Sequence, residues 1–226
     1  MSDFLTNNFE NVIKIQDEIF ESTMQTLYMV AITAVVGGLL GVLIGIILVV
    51  TRPGGILENS IIYNIFDKLV NVLRSIPFII MMALLVPFTR VIVGTSIGTA
   101  AAIIPLIVGI VPFFARQIQN ALLEVDPGII EAAESMGSSP MEIIFRVYLK
   151  EGLPGIIRVS AVSFINLIGL TAMAGAIGGG GLGNLAIARG YNRFQNDVTL
   201  VATLIILVIV FISQAIGNYL VKKTSH

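Results

Sequence analysis

Five stretches of the chain lack the polar interruptions that a water-facing helix needs. They run from about Thr23 to Val50, Leu69 to Pro87, Thr95 to Phe114, just after Arg158 to Ala176, and Val198 to Val221. A bilayer core about 30 Å thick is crossed by roughly 20 apolar residues in a helix. Each stretch therefore predicts one transmembrane helix. Strands of alternating polarity, the signature of a membrane barrel, are not seen, and an open sheet would leave backbone groups unpaired in lipid. The fold class expected is an all-α membrane protein of five spans. Before the first span, Phe9, Val12, Ile13, Gln16, Ile19 and Phe20 recur at helical spacing among acidic residues. That pattern reads as a short helix over residues 1–22 lying at the membrane surface, followed by a transmembrane domain over 23–226.

Lys and Arg set the orientation. With the N-terminus outside, the inner side holds Arg52, Lys68, Arg74, Arg116, Arg146, Lys150, Arg158, Lys222 and Lys223, and the outer side keeps Lys14, Arg90, Arg189 and Arg193. The bias favours N-outside, C-inside. It places the long polar loop between the third and fourth spans in the cytoplasm.

That loop, about 124–155, carries its own helix signals. Asp126 stands as a cap before Pro127 at the first helical position. Gly137 is placed as a left-handed stop. Ser139-Pro140-Met141-Glu142 has the form of a capping box, opening a second helix to about Lys150. Ile129, Ile130, Ala133 and Met136 are the apolar residues of the first helix, and Ile143, Ile144, Val147 and Tyr148 those of the second. Part of this surface packs internally. The small residues Ala132 and Ala133 beside Glu131, with a sharp corner at Gly137, also form a rigid knob suited to a partner's groove.

Within the spans, Gly37, Gly41 and Gly45 fall four apart on one face, a spacing that lets backbones approach closely. Packing within the chain is the favoured reading over a dimer interface. Pro77, Pro87, Pro105 and Pro112 lie in or at the ends of the second and third spans and are expected to kink them. Gly178-Gly179-Gly180-Gly181-Leu182-Gly183 matches G-x-G-x-x-G in form. It follows a membrane span rather than a strand of a βαβ unit, so it reads as a flexible or tight turn and not as a dinucleotide site.

Composition narrows the function. The chain has 226 residues, 56% hydrophobic and 12% charged, with a net charge of −1; mean hydropathy is +0.95. This is a membrane protein with no footprint for nucleic acid. Cys is absent and the single His is the last residue, His226. Thiolate chemistry, a Cys- or His-based metal centre and a histidine-based catalytic site are excluded, and neither catalytic nor metal-binding residues are expected. No G-x-x-x-x-G-K-[ST] occurs, so any ATP and Mg are bound by another chain. The spans hold no Asp or Glu to line a cation pore or relay protons. On the fourth span Ser160, Ser163, Asn166, Thr171 and Met173 supply what little polarity there is. Asn166 and Met173 share a face. With Ser163 they are the candidates for a substrate path, against the plainer roles of interhelical hydrogen bonding and packing.

The run Glu131-Ala132-Ala133, three residues, Gly137 resembles the EAA loop of ABC importer permeases. The family pattern goes on to an aliphatic residue, one residue and Leu-Pro. Here Val147, Tyr148, Leu149 and Lys150 stand at those places, and a Leu-Pro pair follows at Leu153-Pro154. From about Thr23 onward, Leu73-Arg74-Ser75-Ile76-Pro77-Phe78, Pro112-Phe113-Phe114-Ala115-Arg116, and Ala172-Met173 with Gly178–Gly183 are similar to methionine-importer permeases. The resemblance implies a permease of a bacterial cell membrane, importing an amino acid, most specifically D- or L-methionine. Another polar amino acid or small solute is the alternative, with a channel or carrier subunit outside that family less favoured. It further implies a second copy of the chain, two cytoplasmic ABC ATPase subunits docked through Glu131, Ala132, Ala133, Met136 and Gly137, and an extracytoplasmic substrate-binding lipoprotein.

Overall fold

The computed structural model describes residues 9–224. His226, both chain termini and the first eight positions of the expected surface helix lie outside the described residues. Every regular element among the described residues is helical. In chain order they are α1 (Glu10–Lys14), α2 (Gln16–Thr51), α3 (Ser60–Ser75), α4 (Phe78–Val93), α5 (Thr99–Leu123), α6 (Pro127–Ser135), α7 (Pro140–Glu142), α8 (Leu149–Glu151), α9 (Leu153–Ala174), α10 (Gly181–Asn184) and α11 (Asn196–Thr224). Wider π-helical turns occupy Ile143–Tyr148, Gly175–Gly179 and Leu185–Tyr191.

Four helices are long and apolar enough to cross a membrane, and a fifth span exists if the broken pair α3 and α4 is one. That pair corrects the expected second span. Pro77 supplies no N–H and crowds the residue before it, so Ile76 adopts extended backbone (φ −82, ψ 121) and the helix stops at Ser75. Phe78–Val93 is the apolar half, whereas α3 carries Asp67, Lys68 and Arg74 among its apolar positions. The other prolines behave differently: α5 runs unbroken through Pro105 and Pro112.

Three boundaries also move. Residues 16–22, expected in a separate surface helix, are the first turns of the 36-residue α2, and among the described residues α1 precedes them, across a break at Ile15. The third span extends past Arg116 to Leu123, and the fourth starts at Leu153, before Arg158. Arg116 stays inside a helix because its charge is met. Its Nη2 lies 2.6 Å from Asp67 Oδ1 and donates to Asn71 Oδ1 at 2.9 Å, and its Nη1 donates to Gln119 Oε1 at 2.6 Å. A guanidinium with three acceptors fixed around it no longer needs the aqueous interface.

The chain divides into two compact units. One comprises the described chain to Val35, Pro77–Ile107 and Phe164–Ser213. Its core gathers Ile15, Leu182, Leu185, Ala186, Val198 and Ala202, with Val12 and Ile19 packed against them. Asp197 ties α1 to this unit by accepting from the backbone N–H groups of Asn11 (3.1 Å) and Val12 (3.2 Å) and from Asn11 Nδ2 (3.1 Å). The glycine run turns tightly here. Gly178, Gly180 and Gly181 have φ of 99°, 77° and 72°, a region closed to most side chains. A Cβ on Gly175 would stand 2.5 Å from the Asn184 backbone nitrogen, so the chain doubles back in backbone contact. The turn is held by Gly181 N–H donating to Gln25 Oε1 (2.7 Å) and Leu182 N–H to Thr26 Oγ1 (2.9 Å).

The other unit comprises Val36–Ile76, Val108–Ser163 and the described chain from Gln214. Gly41 and Gly45 pack within it, as the spacing favoured. A Cβ on Gly41 would be 2.6 Å from Phe114 Cδ1, and one on Gly45 2.6 Å from Ile118 Cγ2 and 2.9 Å from the Ala115 carbonyl oxygen. The core of this unit joins Val49, Phe114, Ile118, Leu122 and Val125 to Ala133, Ile143 and Tyr148 of the polar loop. The loop is thus built onto the ends of the spans rather than hung from them.

Candidate functional site: a helical knob and its capped corner

Local chemistry builds the knob almost residue by residue. Asp126 accepts from the Gly128 N–H at 2.8 Å and Pro127 takes the first position of α6. The helix ends in a Schellman pair: Ser138 N–H donates to the Ala133 carbonyl at 3.1 Å and Gly137 N–H to Glu134 at 2.9 Å, with Gly137 at φ +79°. Ser139 and Glu142 then close a full capping box. Glu142 Oε2 accepts from Ser139 N–H (3.0 Å) and Oγ (2.9 Å), and Glu142 N–H donates to Ser139 Oγ (3.4 Å). The Ser139 backbone N–H is the main cause that holds the Glu142 carboxyl below its ordinary pKa; the Ser139 hydroxyl and Arg146 add to it.

The second helix continues as a π-helical turn to Tyr148 and then to Glu151, so it reaches one residue past the expected Lys150. Extra width places Ile143, Ile144 and Tyr148 in the interior together. Burial pushes the Tyr148 phenol pKa up, opposed by Arg52.

The five residues of the expected docking set divide by environment. Ala133 is 6% exposed and belongs to the core. Glu131, Ala132, Met136 and Gly137 face outward, Met136 with 79% of its surface free. Met141 and Phe145, 58% and 61% exposed, extend that surface along the second helix. Sequence reasoning missed both. Their signal was available: Met141 and Phe145 are four apart, on the face opposite the buried Ile143. Exposed Met and Phe around a fixed corner form an adaptable apolar contact surface.

The candidate substrate-path residues all lie on α9 but differ in exposure. Ser163 is buried and its hydroxyl donates to the Val159 carbonyl at 2.7 Å, a bond internal to α9. Asn166 is half-buried, and Met173, two turns on, is 43% exposed. Within the same unit as Met173, a cavity of about 360 Å³ opens between α4, the start of α5 and the glycine turn. Ile79, Met82, Val86, Ala102 and Ile177 give it apolar walls, and Thr89 and Ser96 bring hydroxyls to it.

Residues 37–226 match the model of the family described as binding-protein-dependent transport system inner membrane component. A methionine import system permease protein of Bacillus subtilis is 46% identical over 201 residues, covering 89% of this chain and 90% of its own. A D-methionine transport system permease protein of Escherichia coli is 48% identical over 151 residues, or 67% and 70% of the two chains. Among solved structures, an inward-facing form of a methionine ABC transporter superposes with TM-score 0.92 at 40% identity, covering 94% of this chain and 99% of that one.

Proposed function

This chain belongs to the family of binding-protein-dependent transport system inner membrane components, and from that premise we propose that it is the permease subunit of an ATP-driven methionine importer. The observation that carries the reading is the similarity to methionine permeases of two distant bacteria along most of the chain. Two copies of the chain form the pathway, two cytoplasmic ATPase subunits supply the energy, and a substrate-binding protein outside delivers the amino acid. ATP and Mg sit on the ATPase, not here.

The knob is the coupling element. Glu131, Ala132, Met136 and Gly137 touch the ATPase groove, while Ala133 fastens the same turn to Ile143 and Tyr148. A docked partner whose shape changes with ATP biases the spans only through a contact that moves as a body. The Schellman turn, capping box and shared core supply that stiffness. N-outside, C-inside orientation puts the knob in the cytoplasm. Asn166 and Met173 line the path with one polar and one soft side chain, and Ser163 shapes α9 beside them.

The test is reconstitution of the chain with its ATPase and binding protein in liposomes. ATP-dependent uptake of labelled methionine, exceeding that of other amino acids, is expected. ATP hydrolysis with no methionine uptake overturns the substrate. For orientation, Cys at Ser135 is expected to resist a membrane-impermeant thiol reagent added to intact cells, while Cys at Asn192 reacts; the reverse pattern overturns the topology.

A further inference from the structure

A second, strongly polar recess lies in the unit that holds the glycine turn. Its volume is about 300 Å³, within the range of roughly 300–1,000 Å³ that small-ligand sites occupy. One wall is the first exposed face of α2, with Glu18, Glu21 and Gln25. The other is the stretch after the glycine turn, with Asn184 and Arg189 on helix and Arg193 in the turn that follows it. Two carboxylates thus face two guanidiniums, yet only one pair closes, Arg189 Nη2 with Glu18 Oε1 at 3.5 Å. Glu21 makes no ion pair among the described residues and accepts only from Gln25 Nε2, at 3.0 Å. Arg193 has none either. Arg189 Nε is buried and has no acceptor among the described residues.

We propose that this recess binds the zwitterionic end of a free α-amino acid. The carboxylate is received by Arg193, and the ammonium by Glu21. A ligand carrying both charges one carbon apart satisfies the two unpaired groups at once, which neither a simple anion nor a simple cation does. The side chain is left outside the charged walls, so the recess reads the α-groups and not the substrate's identity. Gln25 links it to the pathway side: the same amide that holds Glu21 accepts from Gly181 N–H at 2.7 Å. Occupation of Glu21 is thereby felt at the glycine turn. The proposal rests on the amino-acid importer reading, under N-outside orientation, and makes this recess an outer holding site.

The experiment uses the full chain in phosphatidylcholine nanodiscs and labelled methionine. Competitors are unlabelled methionine, its methyl ester, which lacks the carboxylate, and N-acetylmethionine, which lacks the ammonium. Saturable binding is expected, with each derivative competing about tenfold more weakly than methionine, as loss of one charged hydrogen-bonding group implies. Arg193→Gln should weaken methionine and abolish its advantage over the ester. Glu21→Gln should abolish the advantage over N-acetylmethionine, and Glu21→Asp should restore part of it. Absence of saturable binding, or binding with unchanged discrimination in both variants, overturns the proposal. Loss of methionine binding on replacing the lipid by phosphatidylethanolamine, whose headgroup carries a hydrogen-bonding primary ammonium where phosphatidylcholine has a quaternary one, assigns the recess to lipid instead and overturns the amino-acid form. Methionine uptake by the assembled transporter separates the two readings. Uptake without the binding pattern sinks the recess alone; the binding pattern without uptake sinks the importer alone.

Discussion

The Ser138 amide donates to the carbonyl of Ala133 at 3.1 Å, so the corner of the knob is locked to the one residue of α6 that is rooted in the core. The outward residues around that corner take their positions from a buried alanine and a left-handed glycine.

Gly137 has no atom within 4 Å of where a Cβ would stand. Substitution there is opposed by backbone conformation and not by space. Gly137→Ala should cost about 1 kcal/mol, and Gly137→Val more, from the left-handed φ alone; Gly137→Asn should cost least. In the reconstituted transporter, the ratio of methionine carried to ATP hydrolysed should fall in that same order. Equal coupling in the Val and Asn variants would remove the corner from the mechanism.

Met136, Met141 and Phe145 should behave as contact residues. Met136→Asp and Phe145→Asp leave the helix interior untouched, so each variant should reach the membrane and keep its thermal stability. Co-purification with the ATPase should drop at least tenfold, since a charge placed in an apolar contact goes unpaired. Wild-type co-purification by both variants would place the ATPase elsewhere.

Glu142 makes the knob sensitive to acid. Its folded-state pKa is lowered, chiefly by the Ser139 N–H, so the carboxylate's contribution is present at neutral pH and is lost as pH falls through that lowered pKa. Amide exchange at Ser139 should therefore speed up in acid, beyond the intrinsic chemical dependence. Glu142→Gln should remove that extra dependence. A wild-type profile in the Gln variant would show that the capping box is not what titrates.

Gly45 offers a stability test. A Cβ there meets Ile118 and the Ala115 carbonyl, so Gly45→Ala should destabilise by about 1–3 kcal/mol. Ile118→Ala in the same chain should recover only a small part of the loss, because it removes Cγ2 but keeps the Ile118 Cβ at 2.7 Å and the Ala115 carbonyl. Thermal unfolding in detergent measures both. Additive losses would mean that α2 and α5 separate freely at this point.

Arg116 and Asp67 test the polar anchor. Their side chains are 17% and 25% exposed, so solvent screens them only in part. Arg116→Met should cost about 1–3 kcal/mol by leaving Asp67 without its partner. Arg116→Lys should recover only some of that, having the charge without the fork.

What the sequence disclosed was decided by neighbours in the chain. Asp126-Pro127, Gly137 and the Ser139–Glu142 box are local hydrogen-bond chemistry, and each stands where its residues put it. The misplacements come from partners far along the chain. Arg116 was read as the end of a span because Asp67, its counter-ion, lies forty-nine positions away. The π-turn at Ile143–Tyr148 has no pattern of its own in the sequence, although it carries Ile143 and Tyr148 of the shared core. Glu18 and Glu21 read as the wet side of a surface helix until Arg189 and Arg193 stand opposite them. The family resemblance reached further than either kind of reasoning, because it carries the long-range pairings along with the residues.

Gly152 alone stands between Glu151 and Leu153, and it is not a hinge. Its backbone is right-handed helical, and a Cβ would lie 2.5 Å from the Tyr148 carbonyl oxygen and 2.9 Å from Leu122 Cδ2. There is no slack between the second helix of the knob and the span it feeds. A twist imposed on one is delivered to the other without backlash. The quantity fixed by this junction is phase: one residue inserted after Gly152 would turn the whole of α9 by about 100° against the knob, presenting a different row of side chains to whatever the span faces while every contact in the knob stayed as it was.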